Sequence, residues 1–275
     1  MELERVARRF DNTVATDAYS AATFMCQFEV LSYSKIDGVA VKKRTISTAE
    51  GVTIPARRVV DIGGQKYLLG IAAPDYWNGA VIRLNFVIQG TDGLADLTTI
   101  ASALANVAPS TAYAALAFAK YLPDADDSSR YPPQYQVFLS GTESAPADSL
   151  IKLNGVWYLI KESYISTSGL RVSLANALDS PNFENATFSS RVYDPITDTH
   201  TATDSAVKIL RVKWSEHFRY LSKASEQYER GDQQVFTLKT VAPDPPDNFT
   251  LSDGTWKVVS SQDEGSVWSC HVRRA

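Results

Sequence analysis

The chain has 275 residues, 44% of them hydrophobic and 21% charged, a globular mixture that excludes disordered and fibrous classes. A net charge of -4 without any long Lys/Arg run leaves Lys42-Lys43-Arg44, Arg57-Arg58 and Arg273-Arg274 as solvated charge rather than a nucleic-acid stripe. No stretch approaches eighteen apolar residues and the leading MELERVARRF lacks an apolar core, so neither a spanning helix nor a signal peptide is expected.

In chain order, Leu3, Val6, Ala7 and Phe10 fall at helical spacing and predict a short amphipathic helix over 2–10. From Thr23 the period becomes two: Phe24, Cys26, Phe28 and Val30 alternate with Met25, Gln27 and Glu29, which predicts a half-buried strand. Val39 and Val41 open a further β-like piece, broken by the basic run. Ser47 to Pro55 reads as an exposed loop, with Glu50 within it.

Ile82, Leu84, Phe86 and Ile88 repeat the period of two. Leu94, Leu97, Ala101 and Leu104 then return to helical spacing. So do Tyr113, Leu116, Ala117 and Tyr121 behind a capping Ser110, so two Ala-rich helices are predicted over 94–122. The polar, Pro-flanked stretch from Pro123 to Pro133 reads as a linker.

Beyond the linker, β-like pieces are predicted at Tyr135 to Leu139, Ile151 to Leu153, Val156 to Ile160, Leu170 to Leu174 and Val235 to Leu238. Asp179 to Asn185 reads as a loop. Ala206 to Leu221 fits a helical stripe, with a strand in its first half as the alternative.

Three stretches repeat one short pattern of strand, Gly turn and aromatic-bearing strand: VVDIGGQKYLLG (59–70), LIKLNGVWYLIK (150–161) and FTLSDGTWKVVS (249–260). Gly-Gly, Asn-Gly and Asp-Gly suit two-residue hairpin turns. Aligned on Gly64, Gly155 and Gly254, the copies put Tyr67 and Tyr158 in one column, while Trp157 and Trp256 share the preceding one. The columns face opposite sides of a strand, so one is expected to anchor the core and the other to meet a second layer, solvent or another molecule.

The fold class expected is mainly β with short helices (α+β): small β-barrel or sandwich modules built from Gly-turn hairpins. The domains expected are a β-rich unit over 1–122 carrying the Ala-rich helices, a linker over 123–133, and a second β-rich unit over 134–275.

No catalytic pattern emerges. His200, His217 and His271 belong to no HExxH pair, no Gly-x-Ser-x-Gly elbow occurs, and Gly63-Gly64 lies between strands rather than before a helix. Cys26 and Cys270 lack zinc or redox spacing and read as small core residues. Asp194, Asp198, His200 and Asp204 lie close together, yet their spacing fits turn-forming residues better than a metal loop. No cofactor, metal or catalytic residue is expected. The side chains singled out for contact are Trp77 and Tyr76, carried on APDYWNG (73–79), together with Glu50 and Trp157.

Pro55, Arg57-Arg58 and VVDIGGQKYLLG, with the similar LIKLNGVWYLIK and LSDGTWKVVSS, resemble the small β-barrel proteins of the tailed-bacteriophage neck, the head–tail joining or stopper family. That resemblance implies a non-enzymatic virion protein, present in the host cytoplasm during assembly. It implies a homo-oligomeric ring between portal-side and tail-side proteins, only nonspecific proximity to genomic DNA, and no membrane. It also makes Ser47 to Pro55 and Gly141 to Ala147 the candidate loops for contacting neighbouring rings or gating the channel. The chain is larger than a single-barrel joining protein, which keeps a tail or baseplate adaptor open. A soluble β-sandwich module for glycan or protein, and a hydrolase with a dispersed acidic pair, are the other readings.

Overall fold

The computed structural model describes residues 13–36, 39–118, 134–178, 180–194, 196, 198–213, 231–242 and 244–275. The eighteen strands among the described residues form three closed antiparallel barrels of six strands each. The first barrel comprises β1 (Thr13–Asp17), β2 (Thr23–Ile36), β3 (Val39–Ala49), β4 (Val59–Ile62), β5 (Gln65–Trp77) and β6 (Ala80–Gly90). The second comprises β7 (Gly93–Thr99), β8 (Ser110–Phe118), β9 (Gln134–Leu139), β10 (Ser149–Leu153), β11 (Val156–Ile165) and β12 (Arg171–Ala177). The third comprises β13 (Asn182–Asp194), β14 (Thr199–Lys213), β15 (Gln233–Leu238), β16 (Asn248–Leu251), β17 (Gly254–Glu264) and β18 (Val267–Arg274).

Within each barrel the strands lie in the same spatial order, first-second-third-sixth-fifth-fourth, and the registers superimpose rung by rung. Val60 faces Tyr67, Ile151 faces Tyr158 and Phe249 faces Trp256, all six side chains buried inside their own barrels. Ile46 opposite Phe86 corresponds to Val137 opposite Ser173 and to Val235 opposite Cys270. Each fifth strand bulges two residues beyond its core aromatic, after Leu69, Ile160 and Val258. A bulge adds a residue and sharpens local twist, which helps a short sheet close.

The three Gly hairpins are therefore one element, the fourth-to-fifth strand turn of each barrel. In the first two, Gly63-Gly64 and Asn154-Gly155 all take positive φ, as a type I′ turn requires. In the third the turn is Ser252-Asp253, and positive φ moves to Gly254, the first residue of β17. Alignment on glycine thus slips by one residue in the last copy. Trp256 shares its rung with Tyr67 and Tyr158, not with Trp157.

The Ala-rich stretch forms strands rather than two helices. Ala95, Ala112 and Ala114 are completely buried inside the second barrel, where small side chains leave room for Tyr135 and Tyr158, 5.3 Å apart. Tertiary packing overrides the helix preference of alanine here. Among the described residues only α1 (Ile100–Leu104) is an α-helix, capped by Thr99, whose side chain accepts from the Ser102 N–H at 3.0 Å. β3 also runs unbroken through Lys42 to Arg44 and on to Ala49, absorbing the start of the predicted 47–55 loop. β13 starts at Asn182, inside the predicted 179–185 loop, and the ambiguous 206–221 segment is strand as far as Lys213.

Residues 2–10 and the proposed linker 123–133 lie outside the described residues. The strands flanking that linker, β8 and β9, pair with each other, so the chain divides between barrels at Thr91-Asp92 and again after Leu178.

Two apolar seams join the barrels. The outward pair Val59 and Leu68 of the first packs on Ala115, Phe138, Leu170 and Val172 of the second. The equivalent pair Leu150 and Leu159 of the second packs on Leu210, Val212, Phe236 and Val267 of the third. Both seams use the same rungs. In the third barrel the outward pair is Asn248 and Lys257, and in the first the rung of Phe138 and Phe236 holds Ser47, whose hydroxyl donates to Asn85 Oδ1 at 2.6 Å. These two rungs are thus polar where the corresponding seam rungs are apolar.

Backbone approaches tighten the first seam. The Ile71 N–H donates to the Ser168 carbonyl at 2.7 Å, and a Cβ on Gly70 would overlap that carbonyl oxygen. Phe236→Ala is expected to cost about 3–5 kcal/mol, as an emptied core aromatic does. Lys257→Ala, at the equivalent of a docking position but exposed, should stay within about 0.5 kcal/mol of the parent. Urea unfolding of the two variants checks the contrast.

Candidate functional site

Glu50, Tyr76 and Trp77 come together at one end of the first barrel. Ala49 pairs with Arg83, Arg83 with Asp75, and β5 then continues through Tyr76 to Trp77, opposite Ala80. Asn78 and Gly79 turn the chain there with φ of 49° and 81°. Tyr76 is 64% exposed, and an Arg83–Asp75 ion pair braces the base of the tip. That partnership holds the Asp75 carboxyl below the usual carboxylate range.

Trp157 does not join this group. It lies at the second seam, its ring centre 5.8 Å from that of Phe183. The two rings, with Asp96, Thr98, Val107 and Lys208, line an open cleft of about 410 Å³ between the second and third barrels. Lys208 Nζ donates to the Ala103 carbonyl at 3.3 Å and to Asn106 Oδ1, which fixes the wall formed after α1. Lysine ammoniums stand by both rings: Lys152 Nζ is 5.4 Å from the Trp157 ring centre and Lys208 Nζ 5.7 Å from that of Phe183. Sequence reasoning found Trp157 but missed Phe183 and Lys208, which only barrel closure brings beside it.

Of the two loops expected to reach outward, 141–147 is tied to the first barrel through Glu143, while Thr142, Ser144, Pro146 and Ala147 stay exposed. Arg57 Nε donates to Glu143 Oε1 at 2.9 Å, Arg171 Nε donates to the Glu143 carbonyl at 2.6 Å, and Ala145 is fully buried. Arg57 also lies 3.9 Å from the ring centre of Tyr19, which packs tilted against Tyr113 with ring centres 5.4 Å apart. The loop between β3 and β4 supplies Ile54 and Pro55 to a second cleft, of about 330 Å³, on the first barrel.

A buried polar network closes the third barrel. Asp232 meets His271 Nε2 at 2.7 Å and both Nε and Nη2 of Arg273 at 3.0 Å. Burial pushes the His271 pKa below its ordinary 6.5, outweighing the opposite pull of Asp232. The folded chain therefore binds fewer protons than the unfolded chain just below pH 6.5. The corresponding stability is complete above that pH and is lost as pH falls toward the folded value.

Among the described residues, no group of three His, Cys, Asp or Glu could hold a metal ion, and no helix is long and apolar enough to cross a membrane. Of the acidic residues read as turn-forming, Asp194 ends β13 and Asp204 lies in β14, where it accepts from Ser189 Oγ at 2.5 Å, while Asp198 is exposed in the turn between them. The side chains of Asp194 and His200 lie outside the described set, as does the whole of His217. Cys26 and Cys270 are free and packed inside the first and third barrels. Burial raises their thiol pKa values to about 11 and about 12. Comparison with models of protein families, with curated proteins and with solved structures finds no match.

Two outcomes follow from these environments. Ellman's reagent at pH 8 should leave the folded chain unlabelled and titrate both thiols after unfolding in urea. Stability should fall between pH 7 and pH 5.5 more steeply in the parent than in His271→Gln. The difference is bounded at about 1.4 kcal/mol per pH unit for one proton, and paired urea titrations measure it.

Proposed function

We propose that the chain is a non-enzymatic structural protein of a tailed-phage virion, forming a ring at the head–tail interface that joins portal-side and tail-side components. The observation that carries this reading is a set of two-stranded arms extending past the barrel walls. In β2 and β3, Tyr33 to Ile36 pair only with Val39 to Lys42. In β13 and β14, Ser190 to Asp194 pair only with Thr199 to Thr203, and Ile196 at that turn is 92% exposed. The β5–β6 tip extends past the last β3 partner, and it lies at the opposite end of β3 from the β2–β3 arm.

An isolated two-stranded ribbon is marginal in water, so arms of this kind gain their stability from what they dock on. The closed barrels offer no sheet edge for joining copies, which leaves arms and loops to carry assembly. Arms at both ends of one barrel suit a ring held between two neighbours. A tail or baseplate adaptor would use the same devices with other partners. The seam cleft, with its aromatic rings and polar rim, favours a soluble glycan- or protein-binding module as the second reading.

Native mass spectrometry with negative-stain imaging, on the purified chain alone and mixed with portal-side and tail-side proteins, separates these readings. Closed rings, or a stack on a portal-side ring, are expected. Replacing both Tyr76→Ala and Trp77→Ala should weaken assembly while leaving the unfolding temperature unchanged. A monomer that joins neither partner overturns the reading.

A further inference from the structure

The two seams are built on the same rungs but filled differently. By register, Lys208 of β14 occupies the position that Tyr113 of β8 occupies in the preceding barrel. At the first seam Tyr113 is covered by the phenol ring of Tyr19, whose hydroxyl accepts from the Tyr113 N–H at 3.2 Å. Cations complete that arrangement: Arg57 lies over Tyr19, and Lys66 Nζ is 5.5 Å from the Tyr113 ring centre. Tyr19 belongs to the connection between the first and second strands of its barrel.

In the second barrel the corresponding connection forms α1. Its Ile100 and Leu104 turn into the apolar core of the seam, and the tail from Asn106 to Pro109 becomes a wall. The space beside Lys208, Trp157 and Phe183 stays open. Like the surroundings of Tyr19, it combines aromatic rings with cations, here Trp157 and Phe183 with Lys152 and Lys208, and Asp96 also lines it.

The chain also presents an aromatic of the matching kind. Tyr76 stands out from the β5–β6 tip, with the acidic Glu50 at the same end of the barrel, whereas Lys152 and Lys208 flank the cleft. Tyr76 does not line the cleft of its own chain. We propose that Tyr76 of one copy inserts into the cleft between the second and third barrels of the next, in the manner of Tyr19 at the first seam.

Such a contact is head-to-tail: each copy keeps a tip and a cleft to offer, so repetition closes a ring or extends a filament. The inference rests on the ring reading and names the contact that would build it. Burying one aromatic anchor with its charged rim is also the pattern of an interface hot spot.

Disulfide trapping tests it, because both native thiols are buried and do not compete. Tyr76→Cys chains are mixed with Val107→Cys chains under mild oxidation, Val107 being an exposed residue on the cleft wall. Val14→Cys, exposed on β1 of the first barrel, is the control partner. The expected result is a 76–107 cross-link in clear excess over 76–14, identified by peptide mass. In untagged chains, Tyr76→Ala should weaken association about thirty-fold, the loss of one buried aromatic anchor. Rings by native mass spectrometry without excess 76–107 cross-link overturn this contact while leaving the ring reading in place. Monomers without cross-link overturn both.

Discussion

Each six-stranded sheet closes on itself, and a closed sheet has no free backbone edge with which to hold a neighbour. That constraint decides how the three barrels are joined. Outward side chains must do the work, and they do so through one recurring pair on the fourth and fifth strands, Val59 with Leu68 and then Leu150 with Leu159. The receiving barrel answers with a phenylalanine on its third strand, Phe138 or Phe236. In the third barrel the same rung holds the polar pair Asn248 and Lys257.

The same constraint separates the surfaces that hold the chain together from those free for other contacts. Seams consume the outward faces beside the first two Gly hairpins, so those hairpins serve internal packing. Tyr67, Tyr158 and Trp256 fill barrel interiors, and the loop over 141–147 anchors one barrel to the next through Glu143. Among the described residues, the ribbon at the β5–β6 tip, the longer arms, the cleft on the first barrel and the cleft beside Trp157 lie outside this packing.

Much of this was legible in the sequence where a local rule applied. Strict alternation marked β2 and β6, and Gly-Gly and Asn-Gly marked two of the three repeated turns. Tyr76 and Trp77, expected on a turn, are instead the last two residues of β5, with Asn78-Gly79 turning the chain after them. The wider repeat was hidden because its rungs preserve only a facing direction: Phe86, Ser173 and Cys270 share one position and no chemistry. Alanine misled for a related reason. Its helix preference is intrinsic, whereas the need for small residues inside the second barrel arises only once the sheet closes. The cleft was beyond sequence reasoning, since Trp157, Phe183 and Lys208 meet only through the packing of two barrels.

Among the described residues the middle barrel is engaged on both sides, donating Leu150 and Leu159 while receiving Val59 and Leu68. In a linear array, stability is shared between units and the interfaces between nearest neighbours. Opening either end barrel breaks one interface, but opening the middle one breaks two. Amide exchange should therefore be slowest in the second barrel, and the outer barrels can fray separately while it persists. The chain's cooperativity runs through its centre, so a destabilising change there is felt over the whole length.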